Sequence, residues 1–498
     1  MAPAKAIPRG LWSHIFTILI EDETDGIDFS GSLPEPFLLR SVCREWRYTV
    51  DQNPQLWTKM DLSYEASGHW SEAHQHAFDL ALRMARTRAL HITMDLLNWD
   101  QVAAPMPFQS FSSAKRNAAS LALSGTQRSL IALADNWGPP HVPNVDLTAL
   151  EVTIVVKYEY SVQLGSFMDT FMAGSSAQGL RQLHLALDED AEASLEWLTD
   201  CDVIWANVED YDWSHLVSLT IDTGGVTHQY SELENRIFFL PTLLSAAGNL
   251  EILRFFGRMI VGDPENLDAS GWQSDSSDLP DAITLPHLDT LVVGDPANSM
   301  VKWIDCPALR KLDVDDGPGS TFMRSIGGTL KHLCIEPDDA MPYDLEARRG
   351  SFACRFLELP VLTHLELSIE WTHAGNLHLT GLLPLPESTL PQLEDLVFTV
   401  HRVGADFCDK PQASTILDTV TPRFNRVDFP LKKFVLVCEK YKYAKPRPTE
   451  EERLEMRQRV VESHLVRCLK EVQRSGKDVH MYEISLPQPE SDEKFTYV

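Results

Sequence analysis

LRKLDV, at residues 309–314, and LKHLCI, at residues 330–335, share one pattern: leucine, two variable residues, leucine, one variable residue and a large apolar residue. Seven more copies follow this pattern, with Phe434 replacing the second leucine of the last copy. They are LRQLHL at 180–185, LVSLTI at 216–221, LEILRF at 250–255, LDTLVV at 288–293, LTHLEL at 362–367, LEDLVF at 393–398 and LKKFVL at 431–436. LEVTIV, which begins at Leu150, is a degenerate copy. Nine ordered copies indicate an internal repeat rather than chance.

The repeat predicts the fold of most of the chain. Each copy has the length of one short strand, and its apolar residues alternate onto one face of that strand. One strand cannot bury this face alone, so neighbouring copies are expected to stack as the parallel strands of a solenoid. Successive copies begin 21 to 38 residues apart, which leaves room for a helix or a loop. The predicted fold class is therefore α/β, a horseshoe-like solenoid with parallel strands on one face and helices or loops on the other.

The variable positions of each copy are expected to point away from the buried face. They therefore form a predicted binding surface for a protein partner. The candidate residues on this surface are His184, Thr220, Arg254, Asp313, Asp315, Glu336 and Glu366. If the four acidic members converge, the surface favours a basic segment of the partner.

The first 62 residues have a different pattern. Leu11, Ile15, Ile18 and Leu19 have the spacing of one apolar face of a helix. An acidic loop follows this helix, and the segment 36–62 predicts two short helices. Taken alone, the region predicts a small helical subdomain.

The remaining residues divide into three regions. Residues 63–90 predict a connecting helix, residues 91–440 carry the repeat, and residues 441–498 predict a helix, a capping strand and an acidic tail. In the last region, TEEERLEMRQRVVESHLVRCLKEVQRSG predicts one long amphipathic helix, in which Thr449 and Glu452 have the spacing of a capping box. VHMYEISL predicts the last strand, and the residues after it predict a frayed end. A helix in this place would cover the exposed end of a solenoid.

Composition excludes several classes of partner. The 498 residues include 43 Lys and Arg against 72 Asp and Glu, a net charge of −29. This balance predicts no nucleic-acid partner, because neutralising phosphates requires clustered cations. No apolar run reaches the roughly 18 residues that a membrane span needs, and the acidic EDETD after the first apolar segment argues against a signal peptide. The eight cysteines form no C-x-x-C pair, which predicts reduced thiols in the cytoplasm and/or the nucleus.

The sequence predicts no enzyme and no cofactor. It contains no G-x-S-x-G, no G-x-x-x-x-G-K-[ST], no G-x-G-x-x-G and no H-E-x-x-H motif. His74 with His76 and His373 with His378 have the spacing of metal-binding pairs. No acidic or cysteine partner follows them at ligand spacing, so no metal site is predicted.

Five short segments of the helical region form a known pattern: IPRGL at 7–11, IF at 15–16, LLR at 38–40, VCREWR at 42–47 and LW at 56–57. The pattern resembles the F-box, the adaptor-docking module of SCF-type ubiquitin ligases. The resemblance implies that the adaptor would bind an apolar surface made of Pro8, Leu11, Ile15, Phe16, Leu38, Leu39 and Val42. It also implies that Trp46 and Trp57 pack the core of the module.

With the repeat and the segment from His69-Trp70 to Ala77, the chain resembles fungal-type F-box proteins with irregular leucine-rich repeats. The resemblance implies a substrate-receptor subunit: the F-box binds the SCF adaptor, the adaptor binds a cullin scaffold, and the repeat sheet holds an unknown protein substrate. Partner subunits would transfer ubiquitin, so this chain would need no catalytic residue. The alternative is a non-catalytic interaction scaffold with a degenerate F-box. Gly10, which replaces an acidic residue of the family pattern, and the long acidic loop motivate this alternative.

Overall fold

The fold is known from a computed structural model, in which the chain divides into two compact units, Met1–Pro280 and Asp281–Val498. The structure describes residues 9–23, 27–28, 35–62, 72–96, 118–126, 128–131, 151–158, 162–163, 168, 180–189, 202–205, 207–222, 236–237, 239–256, 258–259, 282–294, 301, 303–314, 320–335, 359–370, 390–401, 411–426, 431–440, 450–485 and 494–496.

The first unit is a mixture of helices and mostly short strands. Its helices are α1 (Arg9–Glu23), α2 (Glu35–Val42), α3 (Arg44–Asp51), α4 (Glu72–Ala85) and α5 (Leu240–Ala246), with 3₁₀ turns at Pro54–Trp57 and Val208–Asp210. Its strands are β1 (Ile27–Asp28), β2 (Lys59–Asp61), β3 (Leu90–Asp95), β4 (Ala118–Thr126), β5 (Glu151–Tyr158), β6 (Val162–Gln163), β7 (Gln182–Glu189), β8 (Asp202–Ile204), β9 (Ser218–Asp222), β10 (Arg236–Ile237), β11 (Ile252–Phe256) and β12 (Arg258–Met259).

The second unit has the same mixture. Its helices are α6 (Ser320–Ile326), α7 (Pro411–Phe424), α8 (Glu450–Glu462) and α9 (His464–Arg474). Its strands are β13 (Ile283–Thr284), β14 (Thr290–Val293), β15 (Ile304–Asp305), β16 (Lys311–Val314), β17 (His332–Ile335), β18 (His364–Glu370), β19 (Asp395–His401), β20 (Lys433–Lys440), β21 (Asp478–Ser485) and β22 (Lys494–Thr496). None of the helices described in either unit has the length and apolar character that crossing a bilayer requires.

The main sheet of the first unit places its strands in chain order, β1-β2-β3-β4-β5-β7-β9-β11, and all of these neighbours are parallel. A second parallel sheet has the order β12-β10-β8-β6. In the main sheet, one register row brings together apolar residues that are all buried: Ile92, Leu121, Val152, Leu183, Leu219 and Leu253. The strand face that carries this row is therefore the core face of the unit.

The main sheet of the second unit also follows chain order, β14-β16-β17-β18-β19-β20-β21, with parallel neighbours throughout. Its buried row is Leu291, Leu312, Leu333, Leu365, Leu396, Phe434 and Val479. Each of the nine predicted copies contributes one strand to the main sheet of its unit. The predicted α/β class with parallel strands is thus confirmed, and β1, β2, β3, β4, β5 and β21 extend the sheets beyond the nine copies.

The C-terminal region differs from its prediction in two places. The long helix predicted there is divided at Ser463, whose Oγ accepts a hydrogen bond from the amide of Val466 at 3.3 Å and so caps the start of α9. The predicted last strand is β21, but the residues after it are not all frayed, because β22 pairs antiparallel with β21 from Tyr482 to Ile484.

Candidate functional site

The helices α1 and α3 meet through an aromatic cluster. The Phe16 ring lies 5.6 Å from that of Trp12 and 5.0 Å from that of Trp46, and the two tryptophan rings are 4.9 Å apart. Such pairs add to the stabilisation that burial alone provides. Phe16 is fully buried and Trp46 is half-buried, so the cluster holds α1 against α3.

A second buried group follows α3. Trp57 is fully buried, and its Nε1 donates a hydrogen bond to the carbonyl oxygen of Val50 at 3.2 Å. The ring of Phe37, on α2, meets the Trp57 ring edge-on with centroids 5.2 Å apart. These contacts agree with the predicted role of Trp57 in packing the core of the helical region. The contacts of Trp46 with Trp12 and Phe16 agree with the same prediction for Trp46.

Polar contacts fix the helices in the same arrangement. The guanidinium of Arg40, on α2, forms a two-point ion pair with Asp51 at the end of α3, with Nε–Oδ1 at 2.6 Å and Nη2–Oδ2 at 3.3 Å. Asn53 Nδ2 donates to Ser13 Oγ on α1 at 2.8 Å. The Sγ of Cys43 accepts from the amide of Trp46 at 3.4 Å and caps α3. Two-point pairs of this kind constrain orientation as well as distance.

Part of the outer surface of these three helices is apolar. Among the residues that the structure describes, every exposed large hydrophobic side chain lies on α1, α2 or α3. We call this set the N-terminal apolar surface, and its members are Leu11, Ile18, Leu19, Leu38, Val42 and Tyr48. Val42 is 59% exposed, Leu11 49% and Leu38 47%. Single exposed hydrophobic residues are common, but their concentration on one small module is typical of an interaction surface.

The predicted docking residues fall into four groups. Leu11, Leu38 and Val42 belong to the N-terminal apolar surface, and Ile15 and Leu39 are half-buried. Pro8 lies outside the described residues. The prediction was wrong for Phe16, because the aromatic cluster encloses its ring completely and leaves nothing for a partner to contact.

Sequence reasoning left three members of this surface out of the docking set. Ile18 and Leu19 belong to the predicted apolar face of the first helix, so their spacing could have identified them as docking residues. Tyr48 follows the VCREWR segment directly, and no periodicity distinguishes it from a packing residue.

The outward face of the first unit brings the predicted partner-binding residues together. Parallel register aligns Thr153, His184, Thr220 and Arg254 on four successive strands. Burial lowers the pKa of His184 below the usual histidine value, the charge of Asp222 opposes this change, and the charge of Arg254 adds to it. His184 is therefore a neutral donor and acceptor at pH 7, beside a cationic arginine.

The acidic residues predicted for the second unit converge only in part. Asp313 and Glu366 occupy the same register row, with Cys334 on the strand between them. Two strand spacings separate their backbones, about 10 Å. All three side chains are half-buried. Asp315 and Glu336 lie outside the described residues.

A neighbouring row of the same face carries two histidines. Lys311, His332, His364 and Asp395 are aligned on β16, β17, β18 and β19. The two imidazole centroids are 5.3 Å apart, and His364 Nδ1 lies 3.7 Å from Asp395 Oδ2. Burial lowers the pKa of His332, and His364, Lys311 and Lys331 lower it further, while the Asp395 carboxylate opposes them.

The described residues show no cluster of metal ligands, and the thiol of Cys306 is not activated. Within the described ranges, no group of three His, Cys, Asp or Glu residues is arranged to hold a metal ion. Burial, with a smaller contribution from Asp305, raises the pKa of Cys306 to about 12, so this thiol stays protonated and unreactive at pH 7. The outward strand faces of the two units can therefore offer hydrogen bonds and charge to a partner. The helices α1, α2 and α3 can offer apolar contact.

Comparison with known proteins adds no relative to this picture. No protein-family model matches the chain, and no curated protein is significantly similar to it in sequence.

Proposed function

We propose that this protein is a substrate-receptor subunit of an SCF-type ubiquitin ligase. Its N-terminal helices would bind the adaptor as an F-box, the adaptor would bind a cullin scaffold, and the outward strand faces would hold a protein substrate. The observation that carries the proposal is the concentration of exposed large hydrophobic side chains on α1, α2 and α3. The resemblance of the same segments to the F-box identifies the partner class.

The stability of the helical module supports a docking role for its surface. The aromatic cluster around Phe16 and the buried ring of Trp57 already provide a core, so the N-terminal apolar surface is not needed to hold the helices together. Exposing it to water is unfavourable by about 25 cal/mol per Å² of apolar area. A partner that covers the surface would recover that free energy.

The two strand arrays support the receptor part of the proposal. Parallel strands in chain order, with the repeat leucines buried, are what a leucine-rich-repeat solenoid requires. Their outward rows present His184, Thr220, Arg254, Asp313 and Glu366 to a substrate. Ubiquitin transfer would be carried out by partner subunits, in the cytoplasm and/or the nucleus, and this chain would contribute binding alone.

The test is capture of the purified SCF adaptor by the full chain. Burying the exposed half of a leucine contributes about 1 kcal/mol, since full burial contributes about 1.5–3 kcal/mol. The double variant Leu11→Ala/Leu38→Ala is therefore expected to bind about 2 kcal/mol more weakly, roughly a 30-fold increase in Kd. His14→Ala, an exposed polar position on the same helix as Leu11, is the matched control and should bind as the wild type does.

Two results would count against the proposal. If the folded wild-type chain does not capture the adaptor, the interaction-scaffold alternative replaces it. If the wild type binds and the double variant binds equally well, the N-terminal apolar surface is not the docking site. Circular dichroism of each variant separates lost binding from lost structure.

A further inference from the structure

The helix α9 carries a row of positive charges in an otherwise acidic chain. Arg467, Lys470 and Arg474 stand at positions i, i+3 and i+7 of this helix, a spacing that places them on one face. Lys477 follows three residues later, just beyond the end of the helix. We call these four residues the α9 cationic stripe. Residues 464–477 contain one carboxylate besides, so their net charge is +3, while the rest of the chain carries −32.

The α9 cationic stripe lies on the side of the helix that faces water. Leu465 and Leu469 are buried on the opposite side, where they hold α9 against the core of the second unit. Both arginines of the stripe are exposed, and both lysines are half-buried. A half-buried lysine packs its apolar stem on the protein and keeps its ammonium group in water. All four charges can therefore meet a partner.

The described part of the second unit does not neutralise these charges. Two other exposed cations of the unit form ion pairs: Arg310 Nη1 lies 3.5 Å from Asp289 Oδ1, and Lys432 Nζ lies 2.7 Å from Glu394 Oε2. None of the four stripe side chains forms an ion pair with a residue that the structure describes. The stripe is thus a concentration of unpaired cations in a chain that has an excess of carboxylates.

Helix stability does not account for the whole stripe. The helix dipole favours a cation in the last turn, which explains Arg474. The same dipole disfavours a cation near the start of the helix, where Arg467 lies, and Lys477 lies outside the helix altogether. Two of the four charges therefore contribute nothing to the folding of α9 that would explain their presence.

We propose that the α9 cationic stripe binds a short acidic segment of a partner protein. Charge complementarity assigns the occupant, because unpaired arginine and lysine side chains attract carboxylates and form charge-assisted hydrogen bonds with them. The inference goes beyond the proposed function, since the stripe lies outside both the N-terminal helices and the outward strand faces, and it stands without that function.

The length of the stripe favours a short protein segment over a nucleic acid. From Arg467 to Arg474 the helix rises about 10 Å, the length of about three residues of an extended chain. Charges more than about 10 Å away are largely screened at 0.1 M salt, so a short acidic segment interacts with the stripe and little with the surrounding negative charge. A nucleic-acid strand would extend past the stripe and be repelled by the acidic remainder of the chain.

The experiment measures binding of fluorescein-labelled hexaglutamate to the full chain by anisotropy at pH 7.5 and 100 mM salt. An exposed charge pair contributes up to about fivefold in affinity, so Arg467→Gln/Arg474→Gln is expected to raise Kd about tenfold. Binding should also be lost at 1 M salt, where the screening length falls to about 3 Å. Hexaglutamine with the same label should not bind.

The matched control is Arg310→Gln/Lys432→Gln. It removes two exposed cations of the same unit and therefore changes the net charge of the chain by the same amount. Its affinity for hexaglutamate should stay within about twofold of the wild-type value, because its cations lie outside the stripe. Circular dichroism checks that both double variants are folded.

Four results would overturn the proposal. They are no binding of hexaglutamate by the wild type at 100 mM salt, undiminished binding at 1 M salt, an unchanged affinity in Arg467→Gln/Arg474→Gln, and an equal loss of affinity in the control variant. A labelled thymidine 20-mer provides the remaining comparison. If it binds more tightly than hexaglutamate and loses affinity in Arg467→Gln/Arg474→Gln, the occupant is a nucleic acid and the proposal is wrong.

Discussion

Phe16 and Leu11 lie on the same helix, and substituting each with alanine should have opposite consequences. We expect Phe16→Ala to unfold the N-terminal helices locally and to abolish adaptor capture as a result. We expect Leu11→Ala to leave the helices folded and to weaken capture directly. The reason is burial: the Phe16 ring is enclosed by Trp12 and Trp46, whereas about half of the Leu11 side chain is in contact with water.

The structure sets the size of each effect. Removing a fully buried phenylalanine ring costs about 3–5 kcal/mol, which includes the aromatic pairs that the ring makes. Leu11 is 49% exposed, so its truncation should cost about 1 kcal/mol of folding free energy or less. The loss of stability caused by Phe16→Ala should therefore be at least threefold larger than the loss caused by Leu11→Ala.

Native-state hydrogen exchange followed by mass spectrometry measures the difference, because it reports the opening free energy of individual segments. Peptides from 9–23 and 44–57 should exchange much faster in Phe16→Ala than in the wild type, while peptides of β16–β20 serve as the internal reference. The assignment of Phe16 to the core would be refuted if its substitution accelerated exchange no more than Leu11→Ala does.

Two further predictions concern titratable groups. At pH 8, iodoacetamide should modify the exposed Cys43 in the native chain. It should modify the buried Cys306, whose pKa is raised to about 12, only after denaturation. Peptide mass spectrometry distinguishes the two sites, and labelling of Cys306 in the native chain would contradict its burial. For His184, the pKa is lowered in the folded state, so the unfolded chain takes up this proton first and stability is lost as pH falls below about 6.5. The urea midpoint should therefore fall from pH 7.5 to 5.5 by less in His184→Gln than in the wild type, and an equal fall in both proteins would contradict the prediction.

The strands could be predicted from the sequence because the pattern of each copy spans only six residues. Leu312, Leu333 and Leu365 each stand two residues from another buried apolar residue, and this alternation is visible in a window of six residues. Strands β3 and β4 were not identified as copies because they lack the first leucine of the repeat pattern. LHITM at 90–94 nevertheless alternates buried and exposed residues in the same way.

The choice of the docking residues was harder to make. The first helix has apolar side chains around most of its circumference, so its spacing does not reveal which side meets α3. Trp12 and Phe16 face the aromatic cluster, while Leu11, Ile18 and Leu19 face water. That distinction depends on contacts made by residues some 30 positions further along the chain, and a single helix pattern carries no information about them.

The C-terminal helical region also differs from the prediction made from its spacing. Apolar residues continue at helical spacing through the region of Ser463, so the pattern predicts one helix. At the break, the Ser463 hydroxyl accepts a hydrogen bond from the amide of Val466 and caps the second helix. Serine is compatible with either outcome, and packing against the rest of the unit selects between them.

The constant register of the second unit has an evolutionary consequence. Between Leu309 and Leu431, consecutive strands pair leucine to leucine or phenylalanine although their copies start 21 to 38 residues apart. Doubling the length of a flexible connection costs only about 0.6 kcal/mol, which is small beside the burial of one leucine. Insertions into the loops of these connections therefore cost little folding free energy, as long as the buried residues of α6 and α7 keep their places in the core. A lineage can therefore change the length of these loops while it inherits the same sheet.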